Sequence, residues 1–193
     1  MNKSKFAAVF AALAGFAIAA PALADNDGLY LGAAVGKAEA KEQACSLDRS
    51  NSCDRQDTTW TGTLGYMFTP HWGAEASYHY LGRVLDQNDP AIGTTFVRVR
   101  AGSLMLVAAY PIEKVSIYAK VGGYRAKSDL TSSYQTEGSS KNNQWTYAVG
   151  LRYDIFSHLA LRAEWQRFNN VGGGATGFRA DVDTLTGGVL LTF

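Results

Sequence analysis

Residues 159–168 read Leu-Ala-Leu-Arg-Ala-Glu-Trp-Gln-Arg-Phe, and taking every second position divides them into two unlike sets. Leu159, Leu161, Ala163 and Trp165 fall on one side, and Ala160, Arg162, Glu164 and Gln166 on the other. A period of two sustained over this length describes a strand with one apolar and one polar face. It leaves open which face is inside. In a water-soluble sandwich the apolar face is the core, whereas in a membrane barrel it is the outer wall.

The same alternation recurs along the chain. Strand character is predicted for Gly28 to Lys37, Thr59 to Phe68, Trp72 to Arg83, Thr95 to Tyr110, Val115 to Lys127, Gln144 to Asp154, Leu159 to Phe168 and Arg179 to Phe193. Connections after the second, fourth and sixth segments are short: Thr69 to His71, Pro111 to Lys114 and Ile155 to His158. Those after the odd segments are long and rich in Gly, Ser, Asn and Asp: Ala38 to Asp57, Val84 to Thr94, Ser128 to Asn143 and Asn169 to Phe178. Short turns at one end and long loops at the other are the signature of an up-and-down meander.

Aromatic residues decide between the two readings. With the short turns placed at the lower end, Tyr66, Tyr110, Tyr153 and Phe193 fall low, and Trp60, Tyr80, Phe96, Tyr147 and Trp165 fall high. Aliphatic positions lie between. Two aromatic girdles around an aliphatic band match a surface that faces lipid, and a sandwich core has no reason to sort its rings this way. The opposite parity carries small, polar and charged groups, among them Glu75, Ser77, His79, Lys120, Arg152, Arg162 and Glu164. The expected fold is all-β: an eight-stranded antiparallel up-and-down transmembrane β-barrel. An open sheet edge in hydrocarbon would leave unpaired backbone groups at several kcal/mol each, so the first strand must close on the eighth.

The N-terminus and composition agree with export. Lys3 and Lys5 precede an apolar run from Phe6 to Ala20, then Pro21 and the small-x-small Ala22-Leu23-Ala24. Residues 1–24 therefore read as a cleaved signal peptide, with a retained anchor as the alternative, and residues 25–193 as the barrel domain. Of 18 basic residues, removing Lys3 and Lys5 leaves 16 against 17 acidic, a net charge of about −1. That balance gives no support for a nucleic-acid partner. Cys45 and Cys53, in a short polar loop of an exported chain, favour a disulfide over two free thiols. They lack the paired spacing or histidines of a metal site, and no cofactor is expected.

Several segments also resemble a known family. Gly73–Val84 (GAEASYHYLGRV), Ala109–Ile112 (AYPI) with Ser116–Ala126 (SIYAKVGGYRA), and Tyr147–Asn170 are similar to the eight-stranded transmembrane domain of outer membrane protein A and its small relatives. The terminal TGGVLLTF, ending on Phe193, looks like the insertion signal read by the barrel assembly machinery. The resemblance implies a Gram-negative outer-membrane location amid outer-membrane lipid and lipopolysaccharide, delivery by periplasmic chaperones, and a monomer. It also implies a lumen plug of Glu, Lys and Arg. Glu75, Arg162 and Glu164 match that pattern, whereas Arg152 stands where an acid is expected and Val107 where a lysine is, with Lys120 as a substitute cation. The periplasmic wall-binding domain of longer members has no counterpart before Phe193.

Eight strands enclose a lumen only wide enough for side chains, so Glu75, Lys120, Arg152, Arg162 and Glu164 are expected to interdigitate as one charge network. It acts either as a plug or simply as polar filling. Ser77 and His79 share a face with Glu75, yet same-face neighbours on a strand stand ~6.6 Å apart, too far to pass hydrogen bonds in sequence. No catalytic residue is assigned. The expected function is a non-enzymatic integral outer-membrane protein with recognition or adhesion of an extracellular ligand through its long loops. Solvated loops without a fixed partner, and a narrow porin-like channel for ions or very small solutes, are the alternatives.

Overall fold

The computed structural model describes residues 28–40, 56–89, 93–132, 138–172 and 179–193. Every regular element among them is a strand: β1 (Gly28–Ala40), β2 (Gln56–Met67), β3 (Trp72–Asp89), β4 (Gly93–Ile112), β5 (Val115–Ser132), β6 (Gly138–Phe156), β7 (Leu159–Gly172) and β8 (Arg179–Thr192). They form a closed barrel in sequence order, each antiparallel to the next. β1 closes on β8 in a continuous register from Tyr30↔Thr192 to Ala40↔Val182. The expected signal segment 1–24, Cys45 and Cys53 lie outside the described residues.

Residue exposure settles the orientation of the faces. Leu104 is 67 % exposed and Val149 50 %, while Glu75 is 2 % and Lys120 3 % exposed. In water, so continuous an apolar outer wall would exceed by far the patches that soluble monomers carry. Leu161, Leu191 and their neighbours are the wall; Arg162 and Glu164 are inside. The upper rings contact one another across and along strands: Trp60 of β2 stacks on Tyr80 of β3 at 6.1 Å, and on β6 Trp145 stacks on Tyr147 at 5.3 Å, which in turn meets Trp165 of β7 edge-on at 5.7 Å. Phe68, Trp72 and Phe156 widen the lower girdle beyond the residues expected there. The side chain of Phe96 is outside the described ones.

Two expectations need correction. First, several of the long loops are largely strand. β3 and β4 continue to Asp89 and Gly93, and β5 and β6 to Ser132 and Gly138. The expected loops Val84–Thr94 and Ser128–Asn143 are therefore mostly paired hairpin arms, with 90–92 and 133–137 outside the described residues. Similarly, β1 runs to Ala40 and β7 to Gly172. The reason is that a strand needs only ~9–11 residues to cross a bilayer, whereas β4 has 20. Beyond the lipid no membrane imposes an apolar face, so alternation is not required while backbone pairing continues. Two of the short turns are shorter than expected too, after β4 and after β6: Glu113 and Lys114 alone join β4 to β5, with Glu113 at φ 55, the positive angle that tight hairpin turns need.

Second, the lumen is not polar throughout. Leu81, Val99, Tyr124, Phe168, Val171 and Val182 form an apolar cluster inside its upper part. Tyr30, Met67, Val107, Tyr118, Ala160 and Leu190 form a second one lower down. A lumen of this width is filled as a core is filled, and apolar layers exclude water from the charges between them. At the upper cluster the β3–β4 register shifts around Arg83, where Gly82 takes φ 76 and approaches Asp57 too closely for a Cβ.

Val149 lies between the girdle residues Tyr153 and Trp145 on β6. Val149→Lys is expected to lower stability by ~2–4 kcal/mol, the cost of a cation at mid-bilayer depth. Urea unfolding in lipid vesicles measures it, and an unchanged midpoint would contradict the lipid-facing assignment.

Candidate functional site in the barrel lumen

Four charged side chains from three alternate strands meet at the level between the two apolar clusters: Glu75 on β3, Lys120 on β5, and Arg162 and Glu164 on β7. The alternation that turns Leu161 to lipid turns Arg162 and Glu164 inward, since side chains on a strand change face at each residue. Arg162 spans the lumen and grips Glu75 with both terminal nitrogens, Nη1 to Oε2 at 3.0 Å and Nη2 to Oε1 at 3.1 Å. It also pairs with Glu164. Lys120 Nζ bridges both acids, 2.5 Å from Glu75 Oε1 and 2.7 Å from Glu164 Oε2. The formal charges cancel, two against two. This matters because a buried ion without a partner costs several kcal/mol.

Two tyrosines that the sequence reading did not single out complete the cluster. Tyr30 OH donates to Glu75 Oε2 at 2.9 Å, and Tyr118 OH to Glu164 Oε2 at 2.7 Å while accepting from Arg162 Nε at 2.7 Å. Each ring lies over a glycine directly across the ladder, Tyr30 over Gly65 and Tyr118 over Gly150. A Cβ on either glycine would collide with the tyrosine ring. The available signal was a tyrosine on the lumen parity whose register partner is glycine, and that required the register.

Arg152 does not join this cluster. It is the ladder partner of Arg162, and two arginines side by side cannot share one pair of acids. Arg152 instead bonds Asp154 Oδ1 at 2.8 Å and Thr192 Oγ1 at 3.4 Å. The cation that the family resemblance expects at 107 stands at 120, directly across the ladder from Val107. Below the cluster, Tyr30, Glu75, Tyr118, Arg152 and Arg162 help line a cavity of about 40 Å³, space for a water or two.

Above it the polar groups pair among themselves. Ser77 Oγ donates to Glu75 Oε1 at 3.0 Å, so the spacing argument fails for that pair: a glutamate side chain reaches along its strand. His79 turns elsewhere, its Nδ1 3.1 Å from Thr61 Oγ1 and its Nε2 2.9 Å from Ser103 Oγ. Ser77, His79 and Glu75 therefore do not form a serine–histidine–carboxylate relay. Phe168 covers His79 edge-on at 5.0 Å.

Residues 8–193 of this closed eight-strand wall match the model described as outer membrane protein beta-barrel domain. The chain belongs to that family. Among curated proteins, this outer-membrane barrel is 28 % identical to outer membrane protein A of Salmonella typhi and 29 % identical to that of Escherichia coli O157:H7, with 96 % of the chain covered in each case. It spans about half the length of these relatives, 54 % of each. Among solved structures, Neisserial surface protein A covers 86 % of this chain and 97 % of its own, with a TM-score of 0.63 and 14 % identity. Ail, the attachment invasion locus protein of Yersinia pestis, covers 86 % and 99 %, with a TM-score of 0.57 and 16 % identity. At such identities the likeness is one of fold. Family and fold together place the chain in the Gram-negative outer membrane.

Arg162→Ala is expected to destabilise the barrel by ~3–5 kcal/mol, because Glu75 loses its cross-lumen partner. Tyr118→Phe removes a hydroxyl bonded to two charged groups but leaves the ion pairs intact, and is expected to cost less, ~1.5–3 kcal/mol. Equal effects in urea titrations of the two variants would contradict the assigned geometry.

Proposed function

We propose that this outer-membrane barrel is a non-enzymatic, non-conducting envelope protein that carries recognition on its surface hairpins. The observation that supports the closed lumen most directly is the neutral four-charge cluster between two apolar layers, with Glu75, Lys120 and Phe168 all buried. An ion entering from below meets a cavity of about 40 Å³ and then Arg162, bonded to both acids. An ion entering from above meets Phe168 packed on Tyr124 and His79. A porin-like path would need all of these contacts to part. The hairpins β3–β4 and β5–β6 supply the recognition platform, since their paired arms continue the strands beyond the length a bilayer needs, on a rigid base.

In planar bilayers the folded protein is expected to give no recurrent unitary current, and reproducible steps would overturn the closed-lumen reading in favour of a narrow channel. Replacing residues 84–97 by a two-residue turn is expected to abolish any attachment the intact protein confers on cells. The shortened barrel should still shift in mobility on heating in detergent electrophoresis. Attachment that survives the truncation would remove the recognition role from that hairpin.

A further inference from the structure

The outer wall carries a polar feature that the lumen does not explain. On β4 the outward positions run upward from Tyr110 through Leu106 and Leu104 to Gly102 and then Arg100, and on β5 from Val115 through Val121 and Gly123 to Arg125 and Lys127. Ten residues separate Tyr110 from Arg100 and Val115 from Arg125. At ~3.3 Å per residue and a tilt of ~40°, that is a rise of ~25 Å, the height of the apolar band. The three cations therefore stand at the headgroup level, at the end of the barrel that carries the long connections, the outer-leaflet side.

Arg100 and Lys127 are direct ladder partners, and Arg125 is paired with Gly102 one step below. All three side chains are exposed, and none makes an ion pair among the described residues. Like charges directly opposite one another on a sheet repel, so this placement disfavours the free state unless an anion neutralises it. The next acid on β5, Asp129, is the register partner of another arginine, Arg98. On β7–β8 the corresponding outward cation is matched within the protein, since Arg167 holds Asp183 at 2.6 Å. The β4–β5 sector instead gathers three neighbouring cations without such a mate among the described residues.

Immediately below them the wall is hollow. Gly102 and Gly123 present no side chain to the lipid, and a Cβ would meet nothing within 4 Å at Gly102 and only Gln144 O, at 3.9 Å, at Gly123. Leu104 and Trp145, the ladder partners of Gly123, form the sides of a trough, and Arg125 and Asn143 form its upper rim. An apolar trough that ends in a cluster of cations has the polarity of a lipid with an anionic head.

We propose that this face of β4–β6 binds a phosphorylated lipid of the outer leaflet, the lipid A moiety of lipopolysaccharide, with a phosphate on Arg100, Arg125 and Lys127 and one acyl chain in the trough over Gly102 and Gly123. A phosphate monoester carries about −1.5 to −2 charges and three acceptor oxygens, which suits three neighbouring cations better than a singly charged phosphodiester does. The arginine forks add the paired contacts that phosphate geometry favours. This site is independent of the lumen cluster and of the recognition role proposed for the hairpins.

The test uses the refolded full chain in detergent, titrated with bisphosphorylated lipid A and monitored by native mass spectrometry. The triple variant Arg100→Gln, Arg125→Gln, Lys127→Gln is expected to bind at least tenfold more weakly, and Arg125→Gln alone about threefold. Gly102→Leu with Gly123→Leu, which the open space permits without disturbing the barrel, is expected to weaken binding to a similar degree by filling the trough. Lipid A stripped of its phosphates should bind the unaltered protein no better than intact lipid A binds the triple variant. Equal binding by the triple variant, or equal affinity for phosphatidylglycerol, would overturn the proposal. So would a soluble polysulfated saccharide that displaces lipid A and binds the trough-filled variant undiminished, since that result marks a general polyanion surface. Retention of the heat-dependent mobility shift by every variant separates loss of the site from loss of the fold.

Discussion

Hydrocarbon supplies no hydrogen bonds, and from that constraint the rest of this structure follows. Each backbone N–H and C=O within the membrane must find a partner in the chain itself, so the sheet closes, β1 on β8. Closure with eight strands leaves a lumen that only side chains fill. The apolar parity then turns outward, where its burial is in lipid, and the polar parity is confined to a narrow interior from which water is largely excluded. Charges placed there are tolerable only as a set whose members satisfy one another. Glu75, Lys120, Arg162 and Glu164 are such a set.

The geometry of that set explains why particular small residues stand around it. Arg162 reaches from β7 to β3 because nothing bulky occupies the path, and Tyr30 and Tyr118 reach the two acids because Gly65 and Gly150 give their rings a flat seat. The cluster thereby ties β1, β3, β5 and β7 together through side chains, across a lumen that backbone pairing alone would leave unbridged. A buried ionic set of this kind is not a large source of net stability, since desolvation offsets much of the attraction. Its stronger consequence is selective: a one-residue slip in strand register turns a member toward lipid and leaves the others unpaired.

Most of the fold was legible in the alternation, because inward and outward positions of a membrane barrel differ sharply in chemistry. Strand order, closure, the two girdles and the inward placement of Arg162 and Glu164 all come from parity. Parity has nothing to say above the membrane, which is why the paired arms of β3–β4 and β5–β6 were read as loops. It is equally silent about which lumen residues share a level. Arg152 and Arg162 have the same parity and the same charge, and only the register Arg152↔Arg162 shows that one must turn down to Asp154. Likewise, Tyr30 and Tyr118 look like girdle members by residue type until their partners Gly65 and Gly150 are known. The apolar clusters inside the lumen are not legible in parity either: Phe168 and Val182 lie in predicted strands and Val171 in a predicted loop, and no local pattern shows how a narrow cylinder is sealed at its ends.

The inversion of faces is the claim on which everything else stands, and spin-label accessibility in lipid bilayers tests it most directly. In a background with Cys45 and Cys53 replaced by serine, nitroxides are placed at Leu161, Leu191 and Ser103. Labels at Leu161 and Leu191 are predicted to collide freely with dissolved oxygen and hardly at all with a water-soluble nickel chelate, while the label at Ser103 is shielded from both. Strong collision of the nickel chelate at Leu161 and Leu191, with oxygen-rich lipid contact at Ser103, would contradict the account.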